Sequence, residues 1–105
     1  MSGISTHILD TAAGRPASGI QVHLYREGEQ LASAWTNADG RVPALLPAEI
    51  PLVSGQYRIL FDVGTRWSDS FYPEVSVTFW VKNAQSNYHI PLLISPFGFT
   101  TYRGS

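Results

Sequence analysis

Tyr88-His-Ile-Pro-Leu-Leu-Ile-Ser-Pro-Phe-Gly-Phe-Thr-Thr-Tyr-Arg-Gly-Ser105 closes the chain, and its reading governs the rest. An apolar run, then Ser95-Pro-Phe-Gly98, then Phe99-Thr-Thr-Tyr102 predicts a strand, a tight turn and a second strand. Pro and Gly punctuate where β-branched and aromatic residues extend. Most domains finish in a frayed polar tail. This chain finishes on an aromatic, a fixed cation, a glycine and a hydroxyl beside a carboxylate, an ending that carries chemistry.

Upstream, the same period of two recurs. Val75, Val77, Phe79 and Val81 alternate with Ser76, Thr78, Trp80 and Lys82. Tyr57, Ile59, Phe61 and Val63 alternate with Arg58, Leu60 and Asp62, and Ile20, Val22 and Leu24 with Gln21, His23 and Tyr25. Such alternation is the mark of a strand with one buried face. Ile4 to Asp10 and Gln30 to Thr36 predict two more strands, separated by the Gly14-Arg-Pro-Ala-Ser-Gly19 loop, the 20–25 strand and a tight connection at Glu27-Gly28-Glu29. Thr36-Asn-Ala-Asp-Gly-Arg41 predicts a turn, because Asp-Gly supplies a positive φ that β-branched residues resist. Residues 42 to 54 hold three prolines and fit no long regular element. Thr65 to Ser70 predicts one helical turn capped by Thr65 and limited by Pro73. Seven or eight strands with one short helix make an all-β sandwich rather than an α/β fold.

The 105 residues are expected to form one domain, 1–105, large enough for a core without staples. Lys and Arg total 7 against 8 Asp and Glu, for a net charge of −1, so no basic stripe exists for nucleic acid. With no Cys, disulfide scaffolds, thiolate metal sites and cysteine nucleophiles are excluded. Charged residues are only 14%, against about a quarter in ordinary domains, which suggests that copies of the chain, or uncharged polar groups, cover part of the surface. The N-terminus shows no basic region followed by an apolar run, and no stretch is long enough to span a membrane. A cytoplasmic location is therefore expected.

Three histidines are the side chains that titrate near neutrality. His23 falls on the polar phase of its strand and reads as a solvated surface residue. His7, in the first strand, and His89, at the start of the last hairpin, each read singly as hydrogen-bonded structural histidines. With Arg41, just after the Asp-Gly turn, they supply what a hydrolase needs to move a proton and steady an anion. Residue spacing alone does not bring the three together.

Four blocks carry a resemblance that covers nearly the whole chain. They are Ile4-Ser-Thr-His-Ile-Leu-Asp-Thr11 with Gly14-Arg-Pro-Ala-Ser-Gly19, then Thr36-Asn-Ala-Asp-Gly-Arg41, Phe71-Tyr-Pro-Glu-Val75 and the terminal hairpin. Together and in this order they resemble the transthyretin-like 5-hydroxyisourate hydrolases, including the Tyr-Arg-Gly-Ser ending. The resemblance implies a transthyretin-like (prealbumin-like) sandwich and hydrolysis of 5-hydroxyisourate to 2-oxo-4-hydroxy-4-carboxy-5-ureidoimidazoline in urate degradation. It implies catalytic roles for His7, Arg41, His89 and Ser105, with Tyr102, Arg103 and Gly104 binding substrate or bracing the pocket. It implies no cofactor and no metal. It also implies a homotetramer whose facing sheets line a central channel.

Three rivals are weaker. A non-catalytic transthyretin-like carrier of small ligands needs neither histidine nor Arg41, and the hormone-carrier branch lacks the first histidine motif and the ending kept here. An immunoglobulin-type sandwich would want a Cys…Trp…Cys pattern. Metal and serine hydrolases lack their ligand spacing and their Gly-x-Ser-x-Gly elbow.

Overall fold

The alternation in the sequence becomes two faces in the computed structural model, which describes residues 3–105. Met1 and Ser2, counted in the expected 1–105 domain, lie outside the described residues. The strands are β1 (Gly3–Asp10), β2 (Arg15–Pro16), β3 (Gln21–Arg26), β4 (Glu29–Trp35), β5 (Arg41–Val42), β6 (Gly55–Phe61), β7 (Val75–Val81), β8 (Asn87–Ser95) and β9 (Gly98–Thr101). One sheet runs β2-β1-β8-β9, with β5 also pairing to β1, and the other runs β4-β3-β6-β7. This is the expected sandwich with more strands than the seven or eight expected. The difference lies in β2 and β5, two-residue pairings too short to leave a periodic signal.

Ile4, Ile8, Ile90, Leu92 and Ile94 of one sheet face Val22, Leu24, Tyr57, Ile59 and Phe61 of the other, all buried. Removing this apolar surface from water is the main force holding the layers together. Thr6 shares the buried phase of β1, and its Oγ1 donates to the Ile90 carbonyl at 2.6 Å. The hydroxyl is thus satisfied where an unpaired one would be costly. Among the described residues no helix is long and apolar enough to cross a membrane.

The helix needs correction. It is α1 (Val63–Arg66), starting three residues earlier than a Thr65 cap implies, with Asp62 at its N-cap position and Thr65 inside it. Thr65 Oγ1 donates to Asp62 Oδ1 instead of capping the backbone. Two contacts fix the earlier start: Val63 is buried in the core, and Gly64 N–H donates to the Pro73 carbonyl at 2.8 Å. Tertiary anchoring outweighs the local capping signal.

The turn before β5 aims the functional edge of β1. Asn37 Oδ1 accepts from the Asp39 and Arg41 amides, and Gly40 N–H donates to the Asn37 carbonyl. The Gly40 carbonyl in turn accepts from Ile8 N–H at 2.8 Å. Gly40 has φ +74°, and a Cβ there would stand 2.5 Å from the Ile8 carbonyl oxygen. Only glycine fits such a place. Gly40→Ala should therefore destabilise the fold by about 2 kcal/mol or more, read as a lower urea midpoint. An unchanged midpoint would contradict this account of the turn.

Candidate active site

The parallel pairing of β1 with β8 sets Ser5 opposite His89 and His7 opposite Pro91. Antiparallel pairing of β1 with β5 sets His7 opposite Arg41. Since side chains alternate along a strand, Ser5, His7 and His89 point away from the core that Ile4, Thr6, Ile8, Tyr88 and Ile90 enter. The first strand, the turn after β4 and the last hairpin therefore deliver His7, Arg41 and His89 to one face.

A cavity of about 530 Å³ opens there. Ser5, Arg41, Asn87, His89 and Ser105 give it polar walls, and Pro43, Ala44, Leu46 and Ala48 give it an apolar one. Its size suits a small heterocycle. His7 flanks it, close enough for its charge to act on His89.

His89 has Ser5 Oγ 2.8 Å from its Nδ1. The Asp39 main chain favours the protonated form of His7, and the Ser5 main chain that of His89, as acceptors beside a ring do. Burial pushes both histidines below their ordinary 6.5, and the Arg41 guanidinium pushes them further. For His89 the neighbouring His7 adds to this and the Ser5 main chain opposes it; for His7 the Asp39 main chain and charge oppose it. The physical outcome is two neutral imidazoles at neutral pH beside one permanent cation. Among the described residues no group of three His, Cys, Asp or Glu could hold a metal ion.

The last residues reach the cavity by a break in the β8–β9 ladder. Leu92 stands opposite Thr101, and the same register returns with Gly104 opposite His89. Between them lies Pro91, which has no amide to donate. Its carbonyl accepts from Thr101 Oγ1 instead, at 2.8 Å. Gly104 N–H donates to the His89 carbonyl at 2.7 Å, and a Cβ on Gly104 would meet His89 Cδ2 at 2.6 Å. Glycine is required here by the imidazole rather than by φ.

Of the seven site residues expected from sequence, His7, Arg41, His89, Gly104 and Ser105 gather at this face. Tyr102 and Arg103 do not. Both line a separate cleft of about 240 Å³ between the edges of β7 and β9, with Val77, Phe79, Trp80 and Tyr88. The Arg103 guanidinium lies over the Tyr88 ring, 4.5 Å from its centroid, and donates to the Asn87 carbonyl at 3.1 Å. His23 is half-buried on the outer face of the other sheet, with the Gln30 amide 3.2 Å from its Nδ1. Asn87 and the 43–48 loop escaped the sequence reading. Ser5 reads from sequence only as polar company on the face of His7, and its contact with His89 follows from the first and eighth strands lying side by side.

A family model described as the HIUase/Transthyretin family matches residues 4–104. The chain belongs to this family. A 5-hydroxyisourate hydrolase of Caulobacter vibrioides is 44% identical, over the whole of both chains. The solved structure of Klebsiella pneumoniae 5-hydroxyisourate hydrolase covers both chains fully, at 41% identity and a TM-score of 0.90. Sea bream transthyretin, solved in complex with thyroxine, is 27% identical over 96% of this chain and 93% of its own, with a TM-score of 0.84. The HIUase/Transthyretin sandwich thus accounts for the two-sheet order found here, and the hydrolase relatives stand nearer in sequence than that transthyretin.

The lowered histidines make a testable pH signature. Protonation costs more in the fold than in the unfolded chain, so their contribution to stability is complete above about pH 6.5 and is lost as pH falls toward the folded values. NMR titration should find His7 and His89 below the ordinary value, and Arg41→Gln should raise both. Titration of either at or above 6.5 in the native chain would refute the electrostatic picture.

Proposed function

We propose that this chain hydrolyses 5-hydroxyisourate at the cavity bordered by His7, Arg41 and His89. The observation carrying the reading is the gathering of two imidazoles and one guanidinium at a cavity of about 530 Å³, roomy enough for a purine. Family membership and the hydrolase relatives support the substrate.

In this mechanism water attacks a carbonyl carbon of the six-membered ring. One imidazole takes the water's proton, the carbonyl oxygen becomes an anion, and the ring C–N bond then breaks as the nitrogen gains a proton. The products of that cleavage are a carboxylate and a ureido group on the remaining five-membered ring. Arg41, charged at every relevant pH, faces the developing oxyanion and the substrate's oxygens with a planar fork. The second imidazole orients the substrate or supplies its own ring proton to the departing nitrogen, and the first imidazole's proton restores it. Ser105 binds substrate at the cavity wall, and Gly104 leaves room for the His89 ring. Tyr102 and Arg103 act at one remove: the stack on Tyr88 and the bond to the Asn87 carbonyl brace the segment that ends at Ser105.

A homotetramer belongs to the proposal. β7 and β9 are the outer strands of their sheets on the same side of the sandwich, and unpaired edges invite another chain. Trp80 and Tyr102 stand 60% and 56% exposed beside the apolar cleft between them. Trp is costly to leave in water, so a second copy closing this edge is the economical arrangement. The alternative function, a carrier of small ligands without turnover, is favoured by no feature of the cavity.

His7→Ala and His89→Ala should each abolish enzyme-dependent decay of freshly made 5-hydroxyisourate, followed by ultraviolet absorbance, with circular dichroism unchanged. Arg41→Ala should lower kcat/KM by about two orders of magnitude, the rate equivalent of roughly 3 kcal/mol. Deleting residues 102–105 should be as damaging as either histidine change. Native rates in the histidine variants would refute the assignment.

A further inference from the structure

We infer that Ser5 is a positioning residue: its hydroxyl, 2.8 Å from His89 Nδ1, helps hold that imidazole as the Nδ1–H tautomer, so that Nε2 presents the lone pair. This deepens the hydrolase reading and rests on it.

A neutral imidazole has one donor and one acceptor nitrogen, and which is which depends on its partners. Ser5 lies directly opposite His89 in the parallel register, so its main chain and side chain both reach the same ring. A serine hydroxyl can accept or donate and does not by itself select a tautomer. The Ser5 main chain tips the choice: it favours the protonated ring, as a carbonyl acceptor facing it does, and with Oγ at Nδ1 the first strand lies on the Nδ1 side of the ring. The hydroxyl beside Nδ1 then offers that proton a second acceptor and holds the imidazole edge against the strand.

The far side of the ring is equally constrained. Gly104 closes against Cδ2, and the Gly104 amide ties the last residues to the His89 carbonyl. With Nδ1 committed to β1 and Cδ2 against the chain's last turn, rotation of the ring is blocked in both directions. His89 lines the cavity, so the remaining nitrogen, Nε2, is the one left for chemistry. A hydroxyl at position 5 is needed for this, while a larger apolar group would crowd the ring. A serine on the outward phase of β1 has no part in the core and contributes little to stability.

The test uses the full chain. With ¹⁵N-labelled histidine at pH 8, wild-type His89 should show a protonated Nδ1 and an unprotonated Nε2 without any substrate present. Ser5→Ala should shift it toward mixed tautomers and lower kcat roughly tenfold, about the scale of one hydrogen bond, with KM within about twofold. Ser5→Thr, which keeps the hydroxyl, should restore both. The inference is overturned if wild-type His89 carries its proton on Nε2, whether or not the variants fold. It is also overturned if Ser5→Ala slows turnover while His89 keeps the wild-type tautomer, since Ser5 would then act only structurally, or if both stay unchanged. Failure of the wild-type protein to consume 5-hydroxyisourate would count against the hydrolase reading, and the NMR result would still decide the tautomer.

Discussion

Residue by residue from Gly3 against Asn87 to Asp10 against Ile94, β1 and β8 lie parallel, and the geometry of the site follows from that register. Two strands so distant in sequence can pair this way only because the intervening chain builds the opposite sheet and returns. The pairing costs considerable chain entropy to close. Burial of Ile4, Ile8, Ile90, Leu92 and Ile94 on its inner side offsets that cost. The hydrophobic side of the pairing stabilises it, while the polar side holds His7 and His89 in reach of each other. Core and site are two faces of one interaction.

Electrostatically, the arrangement is lopsided by design of the fold. Arg41 brings a full positive charge, the imidazoles bring none near neutrality, and burial and Arg41 act on both rings in the same direction. The influence of Asp39 on His7 opposes these and ranks below them. An anionic or electron-poor heterocycle is therefore attracted by the guanidinium, while the histidines keep their lone pairs. The Ser5 hydroxyl at Nδ1 and Gly104 against Cδ2 hold the His89 ring, so little reorganisation is needed there when charge develops. The apolar wall of Pro43, Ala44, Leu46 and Ala48 limits screening by water on the other side.

Much of this was legible in the chain itself, for specific reasons. Val22 and Leu24, or Tyr57, Ile59 and Phe61, announce a buried face because strand geometry has a fixed period. Asp39-Gly40 announces its turn because few residues tolerate that backbone, and the positive φ at Gly40 agrees. The helix was misplaced because its start depends on Val63 and on the Pro73 carbonyl, contacts that propensity does not encode. His7, Arg41 and His89 were identifiable through family resemblance, whereas their neighbours were not. Ser5 is ordinary until β8 is laid beside it, and Arg103 looks like a site cation until the Pro91 break directs it onto Tyr88. What the sequence hides is cross-strand adjacency.

Pro91 sits in the middle of a central strand, where a residue without an amide would normally be a defect. Here it acts as a seam. The ladder is released for the length of two residues and then resumes in step at Gly104, so the terminal segment can be redirected without disturbing the sandwich. Lengthening or shortening the chain by a single residue between 91 and 104 would bring the wrong parity back to His89. Evolutionary tinkering with chain length should therefore be confined to turns away from the cavity, such as Glu27-Gly28, and forbidden in the stretch that leads from the seam to the end.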